Sequence, residues 1–358
     1  MIRSFRLFRP FRPIALLAAG LAGIVLAGAA APDPRAARVA TVVEASGFAG
    51  EVLVGAGDRV LVDRWFGMPQ IAADATPRSW PWQSVTKQVV ATLVMQQVAA
   101  GKLALDAPAD RYLPALKGAI AAPTLRQLLQ HRSGLRNPDD TPPGKDGWPA
   151  FYTATGSPLG WCLGTRAAGG GEWRYNNCDY LVLGAILDRV TGQPLASLYA
   201  ARIAAPLGLK SRFVGAGRGI ALDWPDGVTP AERAILARFG AAGGLAGSAR
   251  DLWKFDRALT DGKLLPQTAR ATLWAGDPAL GYQALGQWSF EASLKGCAAT
   301  VRIIERRGGI GRFQARNLIL PDRHIAIIAF TNRADFDFGE IWQGKGFSYD
   351  MLSAAACS

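Results

Sequence analysis

Ligands for a metal ion are scarce in this sequence. Its 358 residues include two histidines, His131 and His324, and four cysteines, none of which forms a Cys-x-x-Cys pair. Structural zinc sites are built from about four such side chains, commonly at short spacing. We therefore predict neither a metal site nor a cofactor.

Long basic runs are also absent. Lysine and arginine number 40 against 28 aspartates and glutamates, which gives a formal net charge of +12. Without the four arginines that begin the chain the excess falls to about +8, and no basic patch is interleaved with aromatic residues. This distribution argues against a nucleic-acid partner. The positive excess fits instead a protein that lies near the anionic surface of the cell envelope.

The first 30 residues lack any acidic side chain. Four arginines precede an apolar run at residues 14–27, and small residues follow it. A basic start, a short apolar core and a small-residue end are typical of a secretory signal peptide, here residues 1–30. The apolar core is short for a membrane span, and an uncleaved anchor is the alternative. We expect a mature chain from about residue 31, periplasmic or secreted, without a stable membrane span.

Export would place the four cysteines in an oxidising compartment, where disulfides form and persist. Neighbourhood in the sequence suggests the pairs Cys162 with Cys178 and Cys297 with Cys357. The alternative is that all four are buried free thiols.

Strand patterns dominate near the two ends of the chain, and helical patterns dominate the part between them. A Gly-rich turn at residues 55–58 separates two apolar segments, which predicts a β-hairpin over residues 50–67. Helices are predicted at 34–45, 89–100, 124–131, 180–190, 194–204, 249–259, 266–274 and 338–355, and strands at 282–289, 300–305, 314–320 and 325–331.

This order implies an α+β fold in which both chain ends build one antiparallel sheet around a helical insertion. We assign a sheet subdomain to about residues 35–95 and 275–358, and a helical subdomain to about 96–274. Residues 137–171 are rich in proline, glycine and tryptophan, which predicts an irregular excursion near a site.

Ser84 and Lys87 stand three residues apart where the helix at 89–100 would begin. Residues at i and i+3 share one face of a helix, so the Lys87 amine can reach the Ser84 hydroxyl. A helix N-terminus favours nearby negative charge, and burial would lower the pKa of the lysine toward that of a usable base. The pair fits a nucleophile with its base, and it also fits a capping serine beside a solvated lysine.

Four further segments follow this pair in the chain. In order the five are Ser84-Val-Thr-Lys87, Gly101-Lys-Leu-Ala-Leu-Asp106, Leu125-Arg-Gln-Leu-Leu-Gln-His-Arg-Ser-Gly-Leu135, Tyr175-Asn-Asn177 and Gly243-Gly-Leu-Ala-Gly-Ser-Ala-Arg-Asp251. Together they resemble the serine β-lactamase-related hydrolases: class C β-lactamases, DD-peptidases, family VIII-type esterases and D-amino acid amidases. The resemblance covers residues 48–346. It implies a β-lactamase/transpeptidase-like fold, an antiparallel sheet flanked by helices with an all-helical subdomain.

The resemblance also implies roles for single residues. Ser84 would be the acylated nucleophile and Lys87 its partner in the first helix. Tyr175 would act as general base to Ser84 and general acid to the leaving group. Asn177 would hold Lys87 and the acyl side chain of the substrate. His131 falls in a segment that is structural in the family, and Ser-x-x-Lys enzymes need no histidine.

The family's third motif departs from its usual form here. Where Lys-Thr-Gly or His-x-Gly is expected on a late strand, this chain has Arg306-Arg-Gly-Gly-Ile-Gly-Arg-Phe313. The alignment assigns substrate binding to Arg307, Gly308, Gly309 and Ile310. The Ile310 N–H would then complete an oxyanion hole with that of Ser84. A shift by one residue would make Arg306 the match instead.

Arginine at this position has a chemical consequence. It binds a carboxylate through two hydrogen bonds, but it does not exchange protons as lysine does. A carboxylate-bearing substrate is therefore allowed, and efficient β-lactam turnover is not expected.

The leading hypothesis is a secreted serine hydrolase that forms an acyl-enzyme at Ser84 from an ester, amide or β-lactam bond of a small molecule or peptide. The alternative is a non-catalytic penicillin- or peptidoglycan-binding envelope protein. A non-catalytic cleft has no need of the full set of Ser84, Lys87, Tyr175 and Asn177, which favours the enzyme. The altered third motif favours the alternative. A Ser-His-Asp hydrolase is disfavoured because the chain has no G-x-S-x-G elbow.

Overall fold

The computed structural model describes residues 33–68, 78–118, 121–164, 171–215, 224 and 228–357. The signal peptide expected at residues 1–30 lies outside the described residues. Within the described part of the chain, no helix is both long enough and apolar enough to cross a bilayer.

Most strands belong to one antiparallel sheet with the order β2-β1-β9-β8-β7-β6. These strands are β1 (Gly50–Ala56), β2 (Arg59–Phe66), β6 (Trp288–Ala292), β7 (Val301–Ile310), β8 (Phe313–Leu320) and β9 (Ile325–Thr331). Two adjacent strands, β1 and β9, come from opposite ends of the chain and pair from Glu51 with Phe330 to Ala56 with Ile325. The predicted sheet built from both chain ends is therefore present.

The remaining strands are short and form a separate three-stranded sheet in the order β3-β5-β4. They are β3 (Trp80–Pro81), β4 (Arg212–Phe213) and β5 (Leu245–Gly247). This small sheet was not predicted, because two- and three-residue strands have no alternating pattern to detect.

Helices cover both faces of the large sheet and fill the middle of the chain. They are α1 (Pro34–Ala45), α2 (Thr86–Ala99), α3 (Leu125–Leu129), α4 (Ala150–Thr153), α5 (Pro158–Cys162), α6 (Asn177–Thr191), α7 (Leu195–Tyr199), α8 (Ala205–Leu207), α9 (Pro230–Phe239), α10 (Ala249–Thr260), α11 (Gln267–Leu273) and α12 (Phe347–Ala356). Short 3₁₀ turns, among them Gln83–Val85 and Pro138–Asp140, connect them.

Alternation along the strands divides the interior into two cores. Val52 and Val54 of β1 belong to a cluster with α1 and α12, whereas Leu53 belongs to a larger cluster with α2 and α10. Successive strand residues point to opposite faces, so each face of the sheet is covered by its own helices. Because both faces are covered, all seven residues of β9 are buried.

Several predicted boundaries agree with the structure. The helix at 34–45 and the strand at 325–331 have the predicted limits. Thr124 caps α3 in a capping box with Gln127, each side chain bonding to the other residue's backbone N–H.

Three boundary predictions are wrong. The strand expected at 300–305 continues to Ile310. The strand expected at 282–289 begins only at Trp288, because Tyr282 has a φ of 64° and backbone hydrogen bonds close turns between 277 and 287. The helix expected at 338–355 begins at Phe347, because Gly346 at φ 94° ends the irregular segment before it. The helix α9 was not predicted from the sequence.

Both expected disulfides are present, Cys162 with Cys178 and Cys297 with Cys357, and no described cysteine is free. The first joins the end of α5 to the start of α6. The second joins the segment before β7 to the end of α12. The division into sheet and helical subdomains stays a prediction.

Candidate active site

Ser84 lies in a tightly held turn directly before α2. The preceding residue, Gln83, has a φ of 53°, and its side-chain amide donates to the carbonyl oxygen of Phe313 at 2.8 Å. The indole N–H of Trp82 donates to the carbonyl oxygen of Gly247 at 3.0 Å. These buried anchors fix the turn that presents Ser84, whose side chain keeps partial exposure.

Lys87 follows in the first turn of α2 and is fully buried. Its Nζ lies 3.1 Å from Ser84 Oγ and donates to Asn177 Oδ1 at 2.8 Å and to the carbonyl oxygen of Ala242 at 2.6 Å. Burial, and next the charge of Arg306, lower the pKa of Lys87 well below its ordinary value. A neutral amine has two N–H donors for the two oxygens and a lone pair for the serine proton.

Tyr175 approaches Ser84 from the other side. Its phenolic oxygen lies 2.6 Å from Ser84 Oγ, and its carbonyl oxygen accepts a hydrogen bond from Asn137 Nδ2 at 3.1 Å. Burial raises the pKa of Tyr175, although the charge of Arg306 and the hydrogen bond to Ser84 oppose that rise. The serine oxygen is therefore within reach of two groups that can exchange a proton with it.

Asn177 occupies its position because a helix begins there. Asn176 is the N-cap of α6 and accepts the Cys178 N–H at 2.8 Å, so Asn177 is the first helical residue. Its Oδ1 holds Lys87, while its Nδ2 donates to the Tyr152 hydroxyl at 2.9 Å and approaches the carboxylate of Asp139 at 3.3 and 3.4 Å. The structure thus brings Ser84, Lys87, Tyr175 and Asn177 into one hydrogen-bonded network.

The structure does not place the Arg307 side chain in the cleft, so that prediction is wrong. The alternative match, Arg306, lies in the cleft. Arg306 Nε donates to the carbonyl oxygen of Ser84 at 2.9 Å, and its Nη2 donates to the Tyr175 hydroxyl at 3.1 Å. Arg307 points to the other face of β7, where it binds Glu305 at 2.7 Å and Glu340 at 2.5 Å. Neighbouring residues of a strand face opposite sides, so a shift of one position exchanges their environments.

The same shift moves the expected second oxyanion donor from Ile310 to Gly309. Ile310 pairs with Phe313 across the two-residue turn that joins β7 and β8. The two residues that flank a two-residue hairpin loop each donate a backbone hydrogen bond to the other. Along the ladder, such hydrogen-bonded pairs alternate with pairs whose N–H groups point away from the partner strand. The N–H of Ile310 therefore points to β8, whereas that of Gly309 points to the open edge of β7, since the pairing with β6 ends at Glu305.

Gly308 allows β7 to approach the nucleophile turn. A Cβ on this residue would lie 2.9 Å from the carbonyl oxygen of Trp82 and 2.8 Å from Gln83 Oε1. Any larger side chain would push the strand away from Ser84.

His131 lies behind the site and is buried. Its Nδ1 accepts the Asn176 N–H at 3.2 Å, and its ring packs 4.6 Å from that of Tyr175. Burial, and next the charge of Arg306, lower the pKa of His131 well below its ordinary value. The imidazole is a neutral support for the Tyr-Asn-Asn segment and has no contact with Ser84 in the described network.

Sequence reasoning missed Asp139 and Tyr152. Both belong to the irregular segment 137–171, which was expected near a site without any residue being singled out. The Tyr152 hydroxyl donates to an Asp139 oxygen and holds the carboxylate beside Asn177. One signal was available: Asn137-Pro138 is a typical helix start, and Asp139 lies in the 3₁₀ turn that follows it.

The fold and this site define a class: α+β proteins in which a Ser-x-x-Lys pair meets a Tyr-x-Asn motif beside the edge of an antiparallel sheet. The chain belongs to the Beta-lactamase family, which it matches over residues 35–344. The predicted relationship to the serine β-lactamase-related hydrolases is confirmed.

Two relatives and one solved structure illustrate the relationship. Esterase EstB of Burkholderia gladioli is 35% identical over 150 residues, 36% of each chain. The putative penicillin-binding protein PbpX of Bacillus subtilis (strain 168) is 25% identical over 252 residues, 64% of this chain and 59% of the relative. The chain thus aligns with about a third to three-fifths of the length of these curated relatives.

The solved structure is that of a D-stereospecific amidohydrolase from Streptomyces sp. It superposes with a TM-score of 0.70 at 22% identity and covers 91% of this chain and 99% of its own. This likeness confirms the predicted fold class.

Proposed function

We propose that this protein is a secreted serine hydrolase that cleaves an ester or amide bond through an acyl-enzyme at Ser84. The observation that carries the proposal is the placement of Ser84 Oγ, 2.6 Å from the Tyr175 hydroxyl and 3.1 Å from the Lys87 amine. A nucleophile within hydrogen-bond reach of a base, itself oriented by a third group, is the arrangement that activates serine. Relatives named as an esterase and as D-aminopeptidases lend support.

Protons move within a closed set of groups. Ser84 Oγ attacks the carbonyl carbon of the substrate and loses its proton to the neutral amine of Lys87. Tyr175 gives its phenolic proton to the leaving group as the carbonyl–heteroatom bond breaks. The Lys87 ammonium then returns a proton to the phenolate, which Arg306 Nη2 stabilises from 3.1 Å. Attack of water on the acyl-enzyme repeats this exchange and frees Ser84.

The developing oxyanion needs donors that are already in place. The backbone N–H of Ser84 lies at the start of α2, and the N–H of Gly309 faces the open edge of β7. Two donors that are fixed before the reaction stabilise the tetrahedral intermediate.

An exported location fits the two disulfides, Cys162 with Cys178 and Cys297 with Cys357. Disulfides persist in the periplasm and outside the cell, where the basic and apolar pattern of residues 1–30 would direct the chain.

Covalent labelling tests the proposal. A fluorophosphonate should add once to the purified mature chain, and mass spectrometry should locate the adduct on Ser84, because the network activates that hydroxyl. Hydrolysis of p-nitrophenyl propionate should stop after labelling. Ser84→Ala should abolish both the adduct and the hydrolysis, with Ser133→Ala as a matched serine control for labelling.

An adduct that survives Ser84→Ala would contradict the assignment of the nucleophile. A Ser84 adduct without turnover of any ester or amide would instead favour the non-catalytic binding protein.

A further inference from the structure

We propose that Asp139 binds the protonated amino group of the substrate, so that the enzyme acts on esters or amides of amino acids or peptides whose amino group is free. This inference rests on the proposed function, since it names the substrate class of the same site. A carboxylate-bearing substrate is the competing prediction.

Asp139 is an exposed carboxylate held at the catalytic network. It lies in the 3₁₀ turn Pro138–Asp140, whose N-cap, Asn137, also donates to the backbone of Tyr175 at 3.1 Å. Tyr152, a buried residue, donates its hydroxyl to one oxygen of the carboxylate. The charge is therefore fixed relative to Tyr175 while it stays accessible to a ligand.

Asn177 cannot offer its amide freely to a substrate carbonyl. The Tyr152 hydroxyl takes one Nδ2 hydrogen at 2.9 Å, and the Asp139 carboxylate lies 3.3 Å from the same nitrogen. An N-acylated substrate would bring a carbonyl acceptor toward an acceptor-only carboxylate. An ammonium group, with three donors and a positive charge, matches the same position.

The two arginines of the third motif do not provide an anion site beside Asp139. Arg306 is 1% exposed, its Nε and Nη2 donate to Ser84 and Tyr175, and its remaining nitrogen, Nη1, is buried away from the surface. Arg307 is neutralised by Glu305 and Glu340 on the far face of β7. Neither guanidinium is available to bind a substrate carboxylate next to Asn177.

The carboxylate of Asp139 also retains capacity for a ligand. An ionised carboxylate has about four lone-pair sites, of which the Tyr152 hydroxyl uses one. The contacts with Asn177, at 3.3 and 3.4 Å, are longer than a typical charge-assisted hydrogen bond. An ammonium group can therefore bind without displacing Tyr152.

Protection of Ser84 from fluorophosphonate labelling tests the substrate class directly. Alaninamide, in both configurations, should protect the wild-type enzyme at concentrations about ten- to a hundredfold lower than propionamide, which lacks only the amino group. N-acetylalaninamide and succinamate should protect no better than propionamide. The advantage of alaninamide should disappear above about pH 8, where its amino group loses its proton.

Asp139→Asn should reduce the ratio between alaninamide and propionamide by about the same factor, since the amide keeps the shape but loses the charge. Asp140→Asn is the matched control, because Asp140 is paired with Arg174 at the surface and makes no described contact with Asn177. The same ratio in kcat/KM, with alanine p-nitroanilide against propionyl p-nitroanilide, should follow the protection data.

Three outcomes would overturn the inference: equal protection by alaninamide and propionamide, better protection by succinamate, or an unchanged ratio in Asp139→Asn. Failure of the fluorophosphonate to label Ser84 at all would instead reject the proposed function, so the two failures are distinguishable.

Discussion

Two adjacent arginines on β7 show that a shift of one residue along a strand decides which side chain reaches the active site. Arg306 contacts the Ser84 carbonyl oxygen and the Tyr175 hydroxyl, whereas Arg307 lies between the carboxylates of Glu305 and Glu340. An arginine side chain does not exchange protons in proteins, so Arg306 acts on the neighbouring Lys87 and Tyr175 through its charge and hydrogen bonds.

Arg306→Gln should move the acid limb of the kcat/KM profile to higher pH. The charge of Arg306 helps to lower the pKa of Lys87. Without that charge the pKa of Lys87 rises, and the neutral amine that accepts the serine proton forms only at higher pH. We expect the midpoint of the acid limb to move to higher pH, measured with p-nitrophenyl propionate.

Arg307→Gln is the matched control for this shift. Its side chain faces the opposite side of β7, so the pH profile should keep its wild-type midpoint. Thermal melts of both variants separate a loss of folding from a change in titration. An unshifted profile in Arg306→Gln, or an equal shift in Arg307→Gln, would contradict this role of Arg306.

At the scale of elements, the disulfide between α5 and α6 secures the start of the helix that carries Asn177. Cys178 is the residue after Asn177, and its Cα lies 5.4 Å from that of Cys162. The segment between the two cysteines contains Tyr175. The cross-link therefore restrains the chain that delivers two residues of the network.

Removing this disulfide should lower stability and activity together. The double change Cys162→Ala and Cys178→Ala opens a loop with a sequence separation of 16. A loop of this length corresponds to about 3 kcal/mol of chain entropy in the unfolded state. Urea unfolding should show that loss, and kcat should fall under native conditions because Tyr175 and Asn177 lose their restraint.

The disulfide between Cys297 and Cys357 provides the contrast. It closes a separation of 60 residues, and its removal should cost about 4 kcal/mol. It lies at α12, on the face of the sheet away from Ser84, so kcat of the folded variant should match wild type. A lower kcat in this variant only would contradict the assignment.

At the scale of the whole molecule, the large sheet buries carboxyl groups that the catalytic network does not use. Glu51 of β1 accepts the indole N–H of Trp80 at 2.6 Å and lies beside Asp63 of β2, which is paired with Arg250 of α10. Burial, and less strongly the neighbouring Asp63, raise the pKa of Glu51 to about 8. The folded protein therefore holds a proton here that the unfolded chain releases at lower pH.

Glu51→Gln should become more stable relative to wild type as pH rises. The folded-state pKa of Glu51 is raised from 4.5 to about 8, so its stabilising contribution is complete below pH 4.5 and is lost as pH approaches 8. The difference in unfolding free energy between the two proteins should grow by at most about 1.4 kcal/mol per pH unit over that interval.

Urea titrations at several pH values measure this difference, and Glu44→Gln, at an exposed position of α1, controls for the loss of a surface carboxylate. A difference between Glu51→Gln and wild type that stays constant with pH would contradict the prediction.

The sequence by itself determined the local features of this protein. The residue pattern predicted the limits of α1 and β9 and the N-cap at Thr124. The neighbourhood of the cysteines predicted how they pair. The spacing of Ser84 and Lys87 predicted that their side chains meet, and Lys87 Nζ lies 3.1 Å from Ser84 Oγ although Ser84 belongs to a 3₁₀ turn before α2. These features depend on hydrogen bonds and contacts between residues close in the chain, or on a pairing with few alternatives.

The tertiary structure alone decided how distant segments meet. Whether Arg306 or Arg307 faces Ser84 depends on the register of β7 against β8, and a slip of one residue reverses every side chain. Asp139 and Tyr152 reach Asn177 through an irregular segment that has no repeating pattern to read. The substrate class depends on these contacts because hydrogen bonds and charges act over a few ångströms in space, whatever the distance along the chain.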